Sequence, residues 1–223
     1  MSSPTQSPSQ PLPRGPHPLS RDEVAASQRA RLIAAFTELL AECGFARVTI
    51  GELAKRACVS RGAFYAQFAD KEECLLAAYD RFAADILEAM TSGVDENSSW
   101  EDFVAGTLDG YLGTLERDPV AARAFIVELD AGGVNARARR RQAMHGFAAL
   151  LAHRHAAIRA LDPSLGELPE RVYLGLALGV RQLVHERLEE EAAPRLTELA
   201  PDVITWITAM VEGASAAQTR LAR

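Results

Sequence analysis

The stretch TIGELAKRACVSRGAFYAQFADK, Thr49 to Lys71, decides the fold. Thr49-Ile50-Gly51-Glu52 has the spacing of a capping box, in which a hydroxyl accepts from a free helix amide while the glutamate reaches back, and it opens a short helix through Ala57. A brief Cys58-Val59 turn follows, and Ser60 is the cap of a second short helix. Ile50, Leu53 and Ala54 form the inner face of the first helix, with Val59 and Phe64 placed to cover it. The small Ala54 side chain permits a close crossing. Asp70-Lys71-Glu72-Glu73 then repeats the start signal.

Working outward, Ser20-Arg21-Asp22-Glu23 is another capping box, and the helix it opens carries Leu32, Phe36, Leu39, Leu40 and Cys43 on one face until Gly44 ends it with a left-handed cap. After Lys71, the stripe Leu75, Tyr79, Phe82, Ile86 and Met90 predicts a helix of about five turns linking two domains. Beyond Gly93 the punctuation stays helical, with Ser98 before Trp100, Asp118 before Pro119, Gly132-Gly133, Asp162-Pro163 and Ala200-Pro201-Asp202. These marks bound helices near 99–117, 119–130, 134–160, 168–192 and 201–214, so the expected class is all-α. Residues 1–19 have prolines at 4, 8, 11, 13, 16 and 18 among Ser and Gln and read as a disordered arm.

The 223 residues are 48% hydrophobic and 24% charged, enough apolar side chain to bury a core. The net charge of −6 is unevenly spread: +3 through Lys71 and −9 beyond it. A mildly basic beginning on an acidic body suits a nucleic-acid reader whose remainder does other work. No stretch reaches the roughly 18 consecutive apolar residues of a membrane span, and the start lacks the apolar core of a signal peptide, so a cytoplasmic protein without membrane contact is expected. Cys43, Cys58 and Cys74 form an odd set without Cys-x-x-Cys spacing, which argues against a disulfide scaffold or a metal site.

From Arg29 to Tyr79 the sequence resembles the TetR/AcrR family of transcriptional regulators, through Ala34-Ala35, Gly44-Phe45, Thr49-Ile50, Leu53-Ala54, Ala57, Val59-Ser60, Phe64-Tyr65, Phe68 and Lys71-Glu72. The resemblance implies an N-terminal three-helix helix-turn-helix domain at 20–70 and a C-terminal helical ligand-binding and dimerisation domain at 71–223. It implies that Thr49, Gly62, Tyr65, Gln67 and Lys71 meet backbone phosphate, while Ser60, Arg61 and Ala63 lie nearer base edges. The residues agree: the exposed face of the second short helix is polar or small, as a surface entering a major groove requires. Two positions depart from the family pattern. Cys58 stands where Gly is usual, and Gly there tolerates a positive φ that Cys dislikes; Gln67 replaces the commonest His but also donates to phosphate.

The resemblance weakens after about Met90, although 118–141 still looks like one branch of these regulators. Trp100, Phe103, Leu108, Tyr111, Leu112, Phe125, Ile126 and Leu129 supply apolar surface for a core around a cavity. Tyr111, Phe125, Glu128, His145, Tyr173 and Gln182 are the candidate ligand-binding residues, and a small, largely apolar inducer is the expected ligand. Arg137, Arg139, Arg140 and Arg141 read as a solvated face. The helix near 167–191 is apolar nearly all round, with Gly175 and Gly179 four apart. Together with Val203, Trp206, Ile207 and Met210 it predicts a two-fold four-helix interface in a homodimer. The expected function is a regulator, a repressor by family habit, that binds palindromic operator DNA as a dimer and is released by the inducer. No catalytic residue, cofactor or metal is expected: there is no His-Glu-x-x-His, Gly-x-Ser-x-Gly or phosphate-binding loop. A redox sensor using Cys43, Cys58 or Cys74 is the competing regulatory reading, and an enzyme acting on a pocket-bound compound the remaining one.

Overall fold

A computed structural model describes residues 20–92, 95, 98–162 and 165–221, so the expected arm at 1–19 lies outside the described residues. Among those residues the protein is all-α, with helices α1 (Arg21–Cys43), α2 (Ile50–Arg56), α3 (Arg61–Tyr65), α4 (Lys71–Thr91), α5 (Trp100–Arg117), α6 (Pro119–Ala122), α7 (Val134–Leu161), α8 (Glu170–Glu190) and α9 (Ala200–Leu221).

Local chemistry sets most of these ends. At Ser20 both halves of the capping box form, with Glu23 N–H donating to Ser20 Oγ at 3.2 Å and Ser20 N–H to Glu23 Oε2 at 2.7 Å. Thr49 supplies only the hydroxyl half, accepting from Glu52 N–H at 3.2 Å. Gly44 ends α1 at φ 72°, ψ 159°, a region essentially restricted to glycine. The segment expected as one helix near 119–130 is less regular: α6 runs into a π-helical stretch, Arg123–Glu128, and a 3-10 turn, Leu129–Gly132.

Two apolar cores result. Leu32, Phe36, Leu40, Leu53, Phe64, Phe68 and Leu75 form the first, together with Phe125 and Leu129 from the irregular segment. Trp100, Leu108, Leu112, Leu176, Val184, Leu188 and Ile207 form the second. Helix α4 belongs to both, burying Cys74, Leu75 and Tyr79 in one and Ile86 and Met90 in the other. Two glycines let neighbours grip it closely. A Cβ on Gly110 of α5 would clash with the Ala89 carbonyl oxygen, and one on Gly132 with Leu75 Cδ2. Polar contacts add to the grip from α7: Asn135 Nδ2 donates to Glu72 Oε1 at 2.8 Å, and Arg139 pairs with Asp80 at 3.4 Å.

Candidate DNA-binding surface and ligand cavity

Helices α2 and α3 cross over the buried Leu53, Ala54 and Phe64, and the Val59 amide closes the turn on the Ala54 carbonyl at 2.9 Å. Cys58 in that turn has φ 52°, the one positive φ outside glycine among the described residues. The buried Arg31 of α1 braces it, its Nη1 donating to the carbonyls of Ala57 at 2.7 Å and Cys58 at 3.2 Å. This support reaches across 26 residues of sequence and has no signature in the α2–α3 stretch.

Thr49, Ser60, Arg61, Gly62 and Tyr65 are exposed, Ala63 and Gln67 half-buried. Ser60 Oγ caps α3 by accepting from Ala63 N–H at 3.0 Å, so its hydroxyl proton stays available to an acceptor outside the chain. The Arg61 guanidinium lies along α2, where a Cβ on Gly51 would come within 2.8 Å of Nη2. A Cβ on Gly62 would meet nothing nearer than Ser60 Oγ at 3.7 Å, so nothing within the chain requires glycine there. Tyr65 is 59% exposed with its ring edge-to-face on Phe64, centroids 5.5 Å apart.

Lys71, expected at the DNA backbone, also has bonds within the chain. Its Nζ donates to the carbonyls of Phe45 and Val48, both at 3.0 Å, and sits 4.3 Å from the centroid of the Phe45 ring. Two of its three donors therefore hold the loop between α1 and α2. Arg29 of α1 stacks 4.3 Å from the Phe68 centroid and donates to the Gln67 carbonyl at 3.2 Å, which ties α1 to the end of α3.

The three thiols differ. Burial pushes Cys74 up to about 12, so it stays a thiol; Cys43 is half-buried, and Cys58 is exposed. Among the described residues no group of three or more His, Cys, Asp or Glu is arranged to hold a metal ion.

In the second core an apolar cavity of about 70 Å³ is lined by Met90, Trp100, Val104, Leu108, Met144, Phe147, Leu151, Val180 and Ile207, with Thr107, Tyr111 and Arg181 as its polar members. Of the six sequence candidates only Tyr111 lines it. Phe125 lies in the other core, with its ring 4.9 Å from Phe82 and 6.0 Å from Tyr79. Glu128 faces α1, with Oε2 at 3.3 Å from where a Gly44 Cβ would be. His145 is exposed on α7, and the exposed Gln182 donates to Glu186 at 3.3 Å. Tyr173 is buried, but its hydroxyl is paired at 2.7 Å with Nδ1 of His155, a histidine that burial and the Arg159 charge hold below its ordinary range. Helical phase explains why these candidates do not converge on one cavity: spacing shows that a residue faces inward, not which of two cores it enters.

The arginine run of α7 is solvated at Arg137 and Arg141 and half-buried at Arg139 and Arg140. Arg137 donates to the Asp130 carbonyl at 3.0 Å and Arg140 pairs with the Asp130 carboxylate at 2.9 Å. The glycines of α8 also differ from expectation. Gly175 faces open space, whereas a Cβ on Gly179 would strike Trp206 of the same chain at 2.7 Å.

A tight two-helix turn on a third helix, with a small polar outer face, defines a helix-turn-helix protein. Residues 32–78 match the family described as bacterial regulatory proteins, tetR family. The chain is 23% identical over 160 residues to the fatty acid metabolism regulator protein of Bacillus subtilis (strain 168), covering 72% of this chain and 79% of that one. Its fold is similar to the crystal structure of FadR from Bacillus subtilis in complex with stearoyl-CoA, at 20% identity and TM-score 0.71 over 78% of this chain and 95% of that one. FadR from Bacillus halodurans is similar at 20% identity and TM-score 0.72, over 80% and 93% of the two chains. No described helix is long and apolar enough to cross a membrane.

Proposed function

We propose that the chain is a homodimeric repressor in which 20–70 binds a palindromic operator and 71–223 binds a small, largely apolar inducer that releases it. The observation that carries this reading is the double membership of α4: Leu75 and Tyr79 pack under the helix-turn-helix, while Met90 on the same helix lines the cavity. The cavity's about 70 Å³ is well below the roughly 300–1,000 Å³ of sites for drug-sized ligands, so entry of one requires the lining to move. Met90 and Met144 are deformable, and a shift at Met90 tilts α4 and changes the separation of the two recognition helices, which in this architecture is about 34–36 Å. A coupling of about 1–3 kcal/mol would weaken operator binding by roughly 5- to 150-fold, with a reciprocal loss of inducer affinity on DNA. The stearoyl-CoA held by the Bacillus subtilis FadR structure, with its long acyl chain, supports an inducer of apolar character.

On DNA, Ser60, Arg61 and Ala63 lie towards base edges, while Thr49, Gly62, Tyr65, Gln67 and Lys71 serve the backbone. Arg61→Ala is expected to flatten sequence preference, with about 1–3 kcal/mol of discrimination lost if the guanidinium reads a guanine. Lys71→Ala is expected to weaken operator and scrambled DNA about equally, and to lower the salt slope by about one per subunit if its third donor meets phosphate. Affinities for both DNAs across a salt series separate these roles, and unchanged operator binding by both variants sinks the assignment of this surface to DNA.

A further inference from the structure

Arg181 of α8 is 8% exposed, lines the apolar cavity, and has a single hydrogen bond among the described residues, from Nη2 to the Ile126 carbonyl at 2.7 Å. No carboxylate lies within ion-pair distance of it among those residues. The charged groups that face it are Arg140 and Asp130, and these two are paired with each other at 2.9 Å. A guanidinium has five N–H donors in a rigid fork and stays charged in proteins, so most of its bonding capacity is unused in a place where an unpaired charge is strongly unfavourable. The cavity also holds buried polar atoms without protein partners, Thr107 Oγ1 and Trp100 Nε1.

Taking the cavity as the inducer site, we propose that Arg181 receives the carboxylate of an amphipathic monocarboxylate whose hydrocarbon tail lies against Val104, Leu108, Phe147, Leu151 and Ile207. The fork of Arg181 matches both oxygens of a carboxylate, and the ligand would supply the counter-charge that the chain does not. Trp100, Val104, Leu108 and Tyr111 share one face of α5 and span about 16 Å at 1.5 Å per residue. Tyr111 and Arg181 are polar members of the same lining, and with Trp100 at the far end of that α5 face the proposal sets the head at the Tyr111 end and the tail towards Trp100. The head then shares the guanidinium with the Ile126 carbonyl, which holds Nη2. Ile126 sits in the π-helical stretch whose Phe125 packs on Tyr79 and whose continuation at Gly132 packs on Leu75, so the charged end of the ligand acts on the face of α4 beneath the helix-turn-helix.

The test is calorimetric titration of the full chain with decanoate, decan-1-ol and decanoyl-CoA, below their aggregation concentrations, with Arg181→Met and Arg181→Lys as variants. The wild type is expected to bind decanoate at least tenfold more tightly than the alcohol. Arg181→Met should erase that difference while still binding the alcohol, and Arg181→Lys should retain part of it. Equal wild-type affinity for decanoate and decanol overturns the role of Arg181 and leaves an apolar inducer site standing. Tight binding of decanoyl-CoA unaffected by Arg181→Met also overturns it, because the anionic group recognised would then lie elsewhere. If none of the three binds, the cavity is not the inducer site, and both readings fall.

Discussion

Cys58 holds a backbone conformation that its side chain disfavours, at φ 52°, and the Arg31 guanidinium on its carbonyl keeps it there. A left-handed conformation costs a non-glycine residue on the order of 1–3 kcal/mol, whereas glycine adopts it freely but loses about 0.5–1 kcal/mol more in unfolded-chain entropy. Cys58→Gly is therefore expected to raise stability by up to about 1 kcal/mol, and Cys58→Val, with its branched side chain, to lower it by more than 1 kcal/mol. Urea unfolding midpoints at constant slope check both; a midpoint lowered by the glycine would show that the thiol contributes more than the strain. The same variant removes the one exposed thiol of the three, and loss of any peroxide effect on operator binding would assign such an effect to Cys58.

At the scale of the element, α4 is gripped by neighbours that come against its backbone. Gly110 is the tightest of these approaches, and an added methyl would have to displace the Ala89 carbonyl of α4. Gly146, in the middle of α7, has nothing within 4 Å of the corresponding position. Gly110→Ala should lower stability by about 2–3 kcal/mol through overpacking against backbone. Gly146→Ala should raise it by about 0.5–1 kcal/mol through helix propensity alone. Thermal or urea unfolding of the pair reads the contrast directly, and equal effects at the two sites would dissolve the close α4–α5 crossing.

For the whole molecule, the outward faces of α8 and α9 leave Leu178 at 40%, Leu183 at 38% and Trp206 at 38% exposure, beside Gly175 facing open space. Such a face on a helix whose other side packs on the second core is the interface expected of a two-fold dimer. Leu178→Glu together with Leu183→Glu is expected to give monomers that keep their helicity and lose operator affinity, because two half-sites can no longer be bound at once. Sedimentation at micromolar concentration without DNA is the measurement. A wild-type chain that stays monomeric there removes the dimer from the proposed mechanism.

The helical class, the capped starts of the early helices and the position of the helix-turn-helix were legible in the sequence, because these depend on interactions between residues three or four apart: Ser20 with Glu23, Thr49 with Glu52, Ser60 with Ala63, Asp70 with Glu73. The sequence also carried the warning at Cys58, since a missing glycine is visible in one dimension. Only the tertiary structure decided that Lys71 holds the Phe45–Val48 loop, that Phe125 enters the core beneath the helix-turn-helix while Tyr111 enters the cavity, and that Arg181 is buried. Those facts depend on which helices meet. Arg181 and Ile126 are 55 residues apart, and no local pattern records that, among the described residues, a guanidinium on one helix will find a single carbonyl on another and no carboxylate within reach.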